Sequence, residues 1–125
     1  MNLYKKQAKL FKVLMHPVRL AILEILRDGE QCVCHMEAFL DLRQAYISQQ
    51  LMVLRDANLV EDRRDGWNVF YHVTRPEIYN VIDAVLPLVG VKKQPQTREF
   101  VLQPGKTDCS CPKCAPVVIN EEQRG

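Results

Sequence analysis

Apolar residues recur at a spacing of three or four along the first 40 positions, as they do on the buried face of a helix. This spacing predicts a first helix over residues 3–14, which His16-Pro17 interrupts. Proline is tolerated in the first turn of a helix, so Pro17 can begin a second helix, which Asp28-Gly29 ends. Residues 32–40 then predict a short third helix, whose inner face carries Val33, Met36, Phe39 and Leu40.

Residues 44–57 predict a fourth helix with one apolar and one polar face. Ile47, Leu51 and Leu54 stand four and three residues apart, as expected for a buried stripe. The side chains left largely outside the core are Gln44, Ala45, Tyr46, Ser48, Gln49 and Arg55. Two helices joined by a short turn, the second with an exposed polar face, form a helix-turn-helix pattern.

Two strands are predicted directly after the fourth helix. Asn58 stands where a helix commonly ends in a left-handed residue. Segments 59–64 and 67–73 then flank Asp65-Gly66, a dipeptide typical of the tight turn of a β-hairpin. A hairpin in this place is the wing of a winged helix-turn-helix domain.

The remaining chain divides into a last helix and a tail. The spacing of apolar residues predicts a last helix over residues 76–89, which Gly90 ends. This helix is too apolar to lie alone on a surface, so we expect it to form a homodimer interface with the first helix. The predicted fold is mainly α with a small β-hairpin: a dimeric winged helix-turn-helix domain, for DNA binding and dimerisation, over residues 1–91. Residues 92–125, with four prolines and little periodicity, predict a mostly irregular, cysteine-containing tail.

Composition narrows the class of protein without identifying it. A chain of 125 residues, 47% of them hydrophobic, is long enough for one core and too short for two ordinary domains. No apolar run reaches the roughly 18 residues of a membrane span, and no secretion signal is apparent, so we expect a cytoplasmic protein without a membrane partner. The net charge of +2 gives no overall electrostatic signal for nucleic acid.

Five cysteines form two clusters, Cys32 with Cys34 and Cys109 with Cys111 and Cys114. In a cytoplasmic chain this pattern favours metal or redox chemistry over a disulfide framework. Thiolates select soft ions and metalloids, which excludes magnesium and calcium. Cysteines two positions apart on a regular helix point to different sides, so Cys32 and Cys34 can converge only where the helix start is distorted.

The order of these segments resembles the ArsR/SmtB family of metal-sensing repressors over residues 5–90. The run Glu30-Gln31-Cys32-Val33-Cys34 is similar to that family's metal-binding box, and residues 44–60 are similar to its recognition helix. Arg63-Arg64, Gly66 and Tyr71 match its wing. The resemblance implies a repressor that binds operator double-stranded DNA as a homodimer when metal-free and releases it when an ion binds Cys32 and Cys34.

The sequence is compatible with several ions and several ligand sets. As(III) or Sb(III) is the first expectation, Cd(II) or Pb(II) the second, and Zn(II) a further candidate, for which His35 could serve as a ligand. Two thiolates are seldom a complete site, and Glu37 stands where arsenic-sensing members often have a third cysteine. The tail cysteines Cys109, Cys111 and Cys114 are expected either to complete the site or to bind an ion separately.

The same reading assigns the DNA contacts. Gln44, Tyr46, Ser48 and Gln49 are expected to reach base edges in the major groove, on a face that includes Ala45. Arg43, Arg55, Arg63 and Arg64 are expected to meet phosphates, and for Arg55 an intramolecular salt bridge is an equal alternative.

Three other functions and an inert role for the cysteine pair are compatible with parts of this pattern to different degrees. In a redox repressor of the same fold, oxidation would join Cys32 to a tail thiol and release DNA. A metal-binding or metallochaperone protein without a DNA role would make the helix-turn-helix coincidental, and Cys32 and Cys34 could also be plain buried residues. An enzyme is not expected, because no nucleophile, base and orienting group form a recognisable set.

Overall fold

The computed structural model describes residues 2–91, and the predictions for the tail and its cysteines lie outside this range. The helices and strands follow one another along the chain as α1 (Asn2–Leu14), α2 (Pro17–Ile25), β1 (Gln31–Cys32), α3 (Val33–Leu40), α4 (Gln44–Asp56), β2 (Val60–Asp65), β3 (Asn68–Val73) and α5 (Ile78–Val85). Short 3₁₀ segments, Leu26–Asp28 and Leu86–Val89, extend α2 and α5. The mainly α, winged helix-turn-helix fold is confirmed.

The sheet has three antiparallel strands in the order β1, β3, β2, one more than the predicted hairpin. The prediction placed Cys32 in a helix, but it lies in β1 opposite Phe70 of β3. A strand of two residues is too short to show an alternating pattern, and only β3 gives its backbone groups partners. Sequence reading alone therefore missed β1.

The predicted hairpin turn was wrong by one position. Asp65 pairs with Asn68, so the two-residue turn is Gly66-Trp67 rather than Asp65-Gly66. Gly66 has φ 64 and is the turn's positive-φ residue, which is typical of the II′ class with glycine first. Trp67 therefore lies at the tip of the wing.

Helix ends follow local chemistry. The side chain of His16 caps α2, its Nδ1 accepting from the Val18 amide at 3.2 Å. Asn58 has φ 62, which confirms the left-handed end predicted for α4. The last helix was predicted over 76–89, but α5 ends at Val85 and continues as a 3₁₀ segment that contains Pro87, which cannot donate a helical hydrogen bond.

One hydrophobic core joins the helices to the sheet. Ile47, Leu51 and Leu54 of α4 are fully buried, as the apolar stripe predicted, and pack with Ile22 and Leu23 of α2. Three of the four side chains predicted on the inner face of α3 are buried, and the fourth, Leu40, is only partly buried. The core therefore holds α4 by one face and leaves its polar face outward.

A polar cluster attaches α5 to α2. The Arg27 guanidinium donates to Asp83 at 2.8 Å and to Glu24 at 2.8 Å, and lies 4.4 Å from the ring centroid of Tyr79. The Tyr79 hydroxyl donates to the Leu23 carbonyl at 2.5 Å, and burial raises the pKa of Tyr79 above its ordinary value. These contacts set the position of the C-terminal helix on the core.

Several large apolar side chains on the terminal elements remain exposed. We call these residues the terminal apolar surface. They are Leu3, Tyr4 and Phe11 on α1, Val85 at the end of α5, and Leu88 and Val89 in the 3₁₀ segment that follows. None of the helices within residues 2–91 combines the length and apolar character needed to cross a bilayer.

Candidate DNA-binding surface and cysteine site

The polar face of α4 lies where the sequence placed it. Gln44, Ala45, Tyr46, Gln49 and Arg55 are exposed, and Ser48 is half-buried. Because α3 and α2 pack against the opposite face, α4 presents these side chains as the second helix of a helix-turn-helix. Their individual contacts with DNA stay predictions.

Tyr46 has a neighbour that the sequence did not reveal. Its hydroxyl lies 3.4 Å from Nε2 of His16, the residue that caps α2. Nδ1 of the same ring accepts from the Val18 amide, so the His16 side chain contacts both α2 and α4. The N-terminal turn of α4 is thus tied to the start of α2.

The arginines expected at phosphates differ in their surroundings. Arg55 lies 3.4 Å from Asp62 of β2, so the intramolecular alternative is realised in this structure. Arg64 is exposed and forms no ion pair with another residue of the described segment. Arg63 is held twice by Glu30, through Nε at 2.9 Å and Nη2 at 2.7 Å.

Cys32 and Cys34 meet at the junction of β1 and α3. Their Cα atoms are 5.3 Å apart and their sulfur atoms are joined as a disulfide. Cys32 is the N-cap of α3, and its Sγ accepts from the His35 amide at 3.1 Å. The two cysteines were expected to converge only at a distorted helix start. They do converge, because the backbone of Cys32 is extended while Cys34 lies in the first turn of α3.

This position suits sulfur chemistry. The amides at a helix N-terminus carry partial positive charge, and one of them, from His35, donates to Cys32 Sγ. Cys32 is completely buried and Cys34 partly exposed, so an incoming reactant reaches the pair from the side of Cys34.

The described residues supply only part of a metal site. Among residues 2–91 no three His, Cys, Asp or Glu side chains are grouped closely enough to hold an ion. The His35 ring packs edge-on against Phe39, with centroids 4.3 Å apart. Once reduced to thiolates, the two sulfurs fit a soft ion by type and proximity. The further donors expected from Cys109, Cys111 and Cys114 lie outside the described range.

A row of three residues connects the cysteine pair to the wing. In the sheet register, Phe70 of β3 is opposite Cys32 of β1 on one side and opposite Arg63 of β2 on the other. Phe70 is buried against Cys32, and the Arg63 guanidinium lies 4.8 Å from its ring centroid. The sequence analysis included Glu30 in the metal-binding box but did not predict its contact with Arg63, and it missed Phe70, since nothing in their spacing marks these contacts.

The helix pair α3 and α4, with a wing after the second helix, defines a winged helix-turn-helix DNA-binding domain. The family model described as bacterial regulatory protein, arsR family, matches residues 16–62. The chain is 42% identical over 78 residues to the biofilm growth-associated repressor of Agrobacterium fabrum, covering 62% of this chain and 67% of that protein. The chain belongs to the ArsR family of bacterial transcriptional regulators.

Two further similarities bear on the site. The arsenic resistance transcriptional regulator ArsR1 of Pseudomonas putida is 42% identical over 77 residues, which cover 61% of this chain and 59% of that protein. The structure of reduced HlyU from Vibrio cholerae matches with a TM-score of 0.63 and 31% identity, over 71% of this chain and 94% of that chain. Membership of this family makes the protein a transcriptional regulator rather than an enzyme, and argues against a metallochaperone without a DNA role.

Proposed function

We propose that this protein is a cytoplasmic repressor that binds operator DNA as a homodimer and releases it when Cys32 and Cys34 bind a thiophilic metal or metalloid ion. The observation that carries the proposal is the meeting of both sulfurs at the start of α3, the helix on which α4 packs. An ion bound there acts on the first helix of the DNA-binding pair.

The chemistry of the donors selects the ion. Two soft thiolates favour As(III) or Sb(III), then Cd(II) or Pb(II), with Zn(II) a further candidate. The similarity to an arsenic resistance regulator supports the first choice. We propose that Cys109, Cys111 or Cys114 supplies the remaining sulfur.

The response follows from the burial of Cys32. Because this side chain has no exposed surface, a change in its bonding displaces its buried neighbour Phe70 rather than solvent. By linkage, DNA must weaken ion binding by the same factor as the ion weakens DNA binding, typically about 5- to 150-fold.

The test is a titration of the fully reduced protein with arsenite, antimonite, Cd(II) and Pb(II), while fluorescence anisotropy follows a labelled operator fragment. We expect a thiophilic ion to release the DNA as the sulfur-to-metal absorption band appears. Equal ion affinity for free and DNA-bound protein would contradict the proposal.

A redox response is the second candidate, and the disulfide between Cys32 and Cys34 supports it. In this reaction a peroxide takes two electrons from the two thiols; the sulfur-sulfur bond forms as the peroxide bond breaks, and the two thiol protons leave with the oxygen atoms as water or alcohol. DNA release by peroxide in metal-free buffer, reversed by a dithiol reductant, distinguishes this candidate from ion binding.

A further inference from the structure

The contact between Glu30 and Arg63 has the form of a phosphate contact made within the protein. A carboxylate engages Nε and Nη2 of the guanidinium in parallel, at 2.9 and 2.7 Å, which is the geometry arginine also uses for phosphate oxygens. Glu30 lies directly before β1, whereas Arg63 is on the wing. The wing arginine therefore already has an anionic partner before DNA is present.

The pair is accessible, so a competing anion can displace Glu30. The side chain of Arg63 is 50% exposed and that of Glu30 25% exposed. An exposed ion pair of this kind is weak enough to exchange for another partner. Phosphate is the competing anion expected at the wing of a DNA-binding domain.

Arg63 also depends on the cysteine pair. Its guanidinium lies on the ring of Phe70, and that ring is buried against Cys32. Glu30 is two residues before Cys32 along the chain, and Phe70 is opposite Cys32 in the sheet. Both groups that hold Arg63 are therefore connected to Cys32. A rearrangement at Cys32 reaches both supports of the wing arginine at once.

We propose that Glu30 is a positioning residue that competes with a DNA phosphate for Arg63, and that Phe70 makes the outcome depend on the state of Cys32. The proposal rests on the proposed function and adds a second route to it, through the wing in addition to α3 and α4. An ion at the cysteine pair would then weaken DNA binding partly by keeping Arg63 on Glu30.

The test compares Glu30→Gln, Arg63→Gln and the double variant in operator binding over a range of salt concentrations. Gln at position 63 keeps a polar side chain with an amide donor while removing the charge. We expect Glu30→Gln to bind DNA about two- to fivefold more tightly. We expect Arg63→Gln to lower the slope of log K against log salt by about 0.9 in the Glu30→Gln background, the value for one phosphate contact.

The double variant decides the matter, because Glu30 can act in this way only through Arg63. The double variant should bind operator DNA with the same affinity as Arg63→Gln. The inducing ion should weaken DNA binding by Arg63→Gln by a smaller factor than it weakens DNA binding by the unaltered protein. Glu61→Gln is the matched control: it removes an exposed carboxylate from β2 that lies 3.8 Å from His72.

Two results would overturn the inference: equal tightening by Glu30→Gln and Glu61→Gln, or additive effects in the double variant. Either can occur while the unaltered protein still binds operator and responds to ions, which would leave the proposed function intact. If the unaltered protein binds no operator fragment, the proposed function fails with it.

Discussion

Replacing both Cys32 and Cys34 with serine should abolish the release of operator DNA by thiophilic ions and leave metal-free DNA binding intact. In the unaltered protein we expect the ion to weaken operator binding by about 5- to 150-fold, the usual range of an allosteric coupling. Hydroxyl oxygen is a poor ligand for soft ions, so this factor should fall to one. Anisotropy of labelled operator DNA, with and without ion, measures it.

The structure explains why serine is suitable at these positions. Cys32 caps α3 through an acceptor sulfur, and serine is a preferred N-cap whose oxygen can accept from the same His35 amide. Cys34 is partly exposed, so a hydroxyl there can meet water. The variant should therefore fold, which circular dichroism and thermal unfolding can verify.

Serine substitutions at Cys109, Cys111 and Cys114 form the companion experiment. If these residues complete the site, ion affinity should fall while the response to saturating ion persists in part. A variant lacking Cys32 and Cys34 that is still released by ions would place the sensor in the tail and reject the role of the β1 to α3 junction.

Leu88→Glu should convert the proposed dimer to a monomer and weaken operator binding by about 100-fold or more, since joining two binding modules typically gains a factor of 10² to 10⁴. Leu88 is 85% exposed in the single chain and belongs to the terminal apolar surface. A buried, unpaired carboxylate there would strongly disfavour association of two copies.

Sedimentation velocity measures the oligomeric state, and binding to full and half operator sites measures the loss of affinity. Met15→Glu is the matched control, because Met15 is a large exposed apolar residue in the connection between α1 and α2, outside the terminal apolar surface. It should leave the dimer unchanged. A dimeric Leu88→Glu protein would show that the homodimer uses another surface.

Much of the fold was predictable because it depends on local periodicity. The stripe Ile47, Leu51 and Leu54 identified the buried face of α4, and the same stripe left its polar face exposed. Turn and cap residues act within a few positions, which is why Asn58 was assigned correctly. The hairpin register slipped by one residue because both Asp65-Gly66 and Gly66-Trp67 contain the glycine that the turn requires.

The sequence by itself determined the winged helix-turn-helix class, the exposed face of α4 and the two cysteines at the start of α3, because periodicity, capping and residue chemistry are local properties. The tertiary structure alone decided that β1 joins the sheet, that Glu30 holds Arg63 and that Phe70 lies between Arg63 and Cys32. Glu30 and Arg63 are 33 positions apart along the chain, and the paired residues Cys32 and Phe70 are 38 apart. Such pairs depend on how strands align, and strand alignment follows from packing of the whole domain.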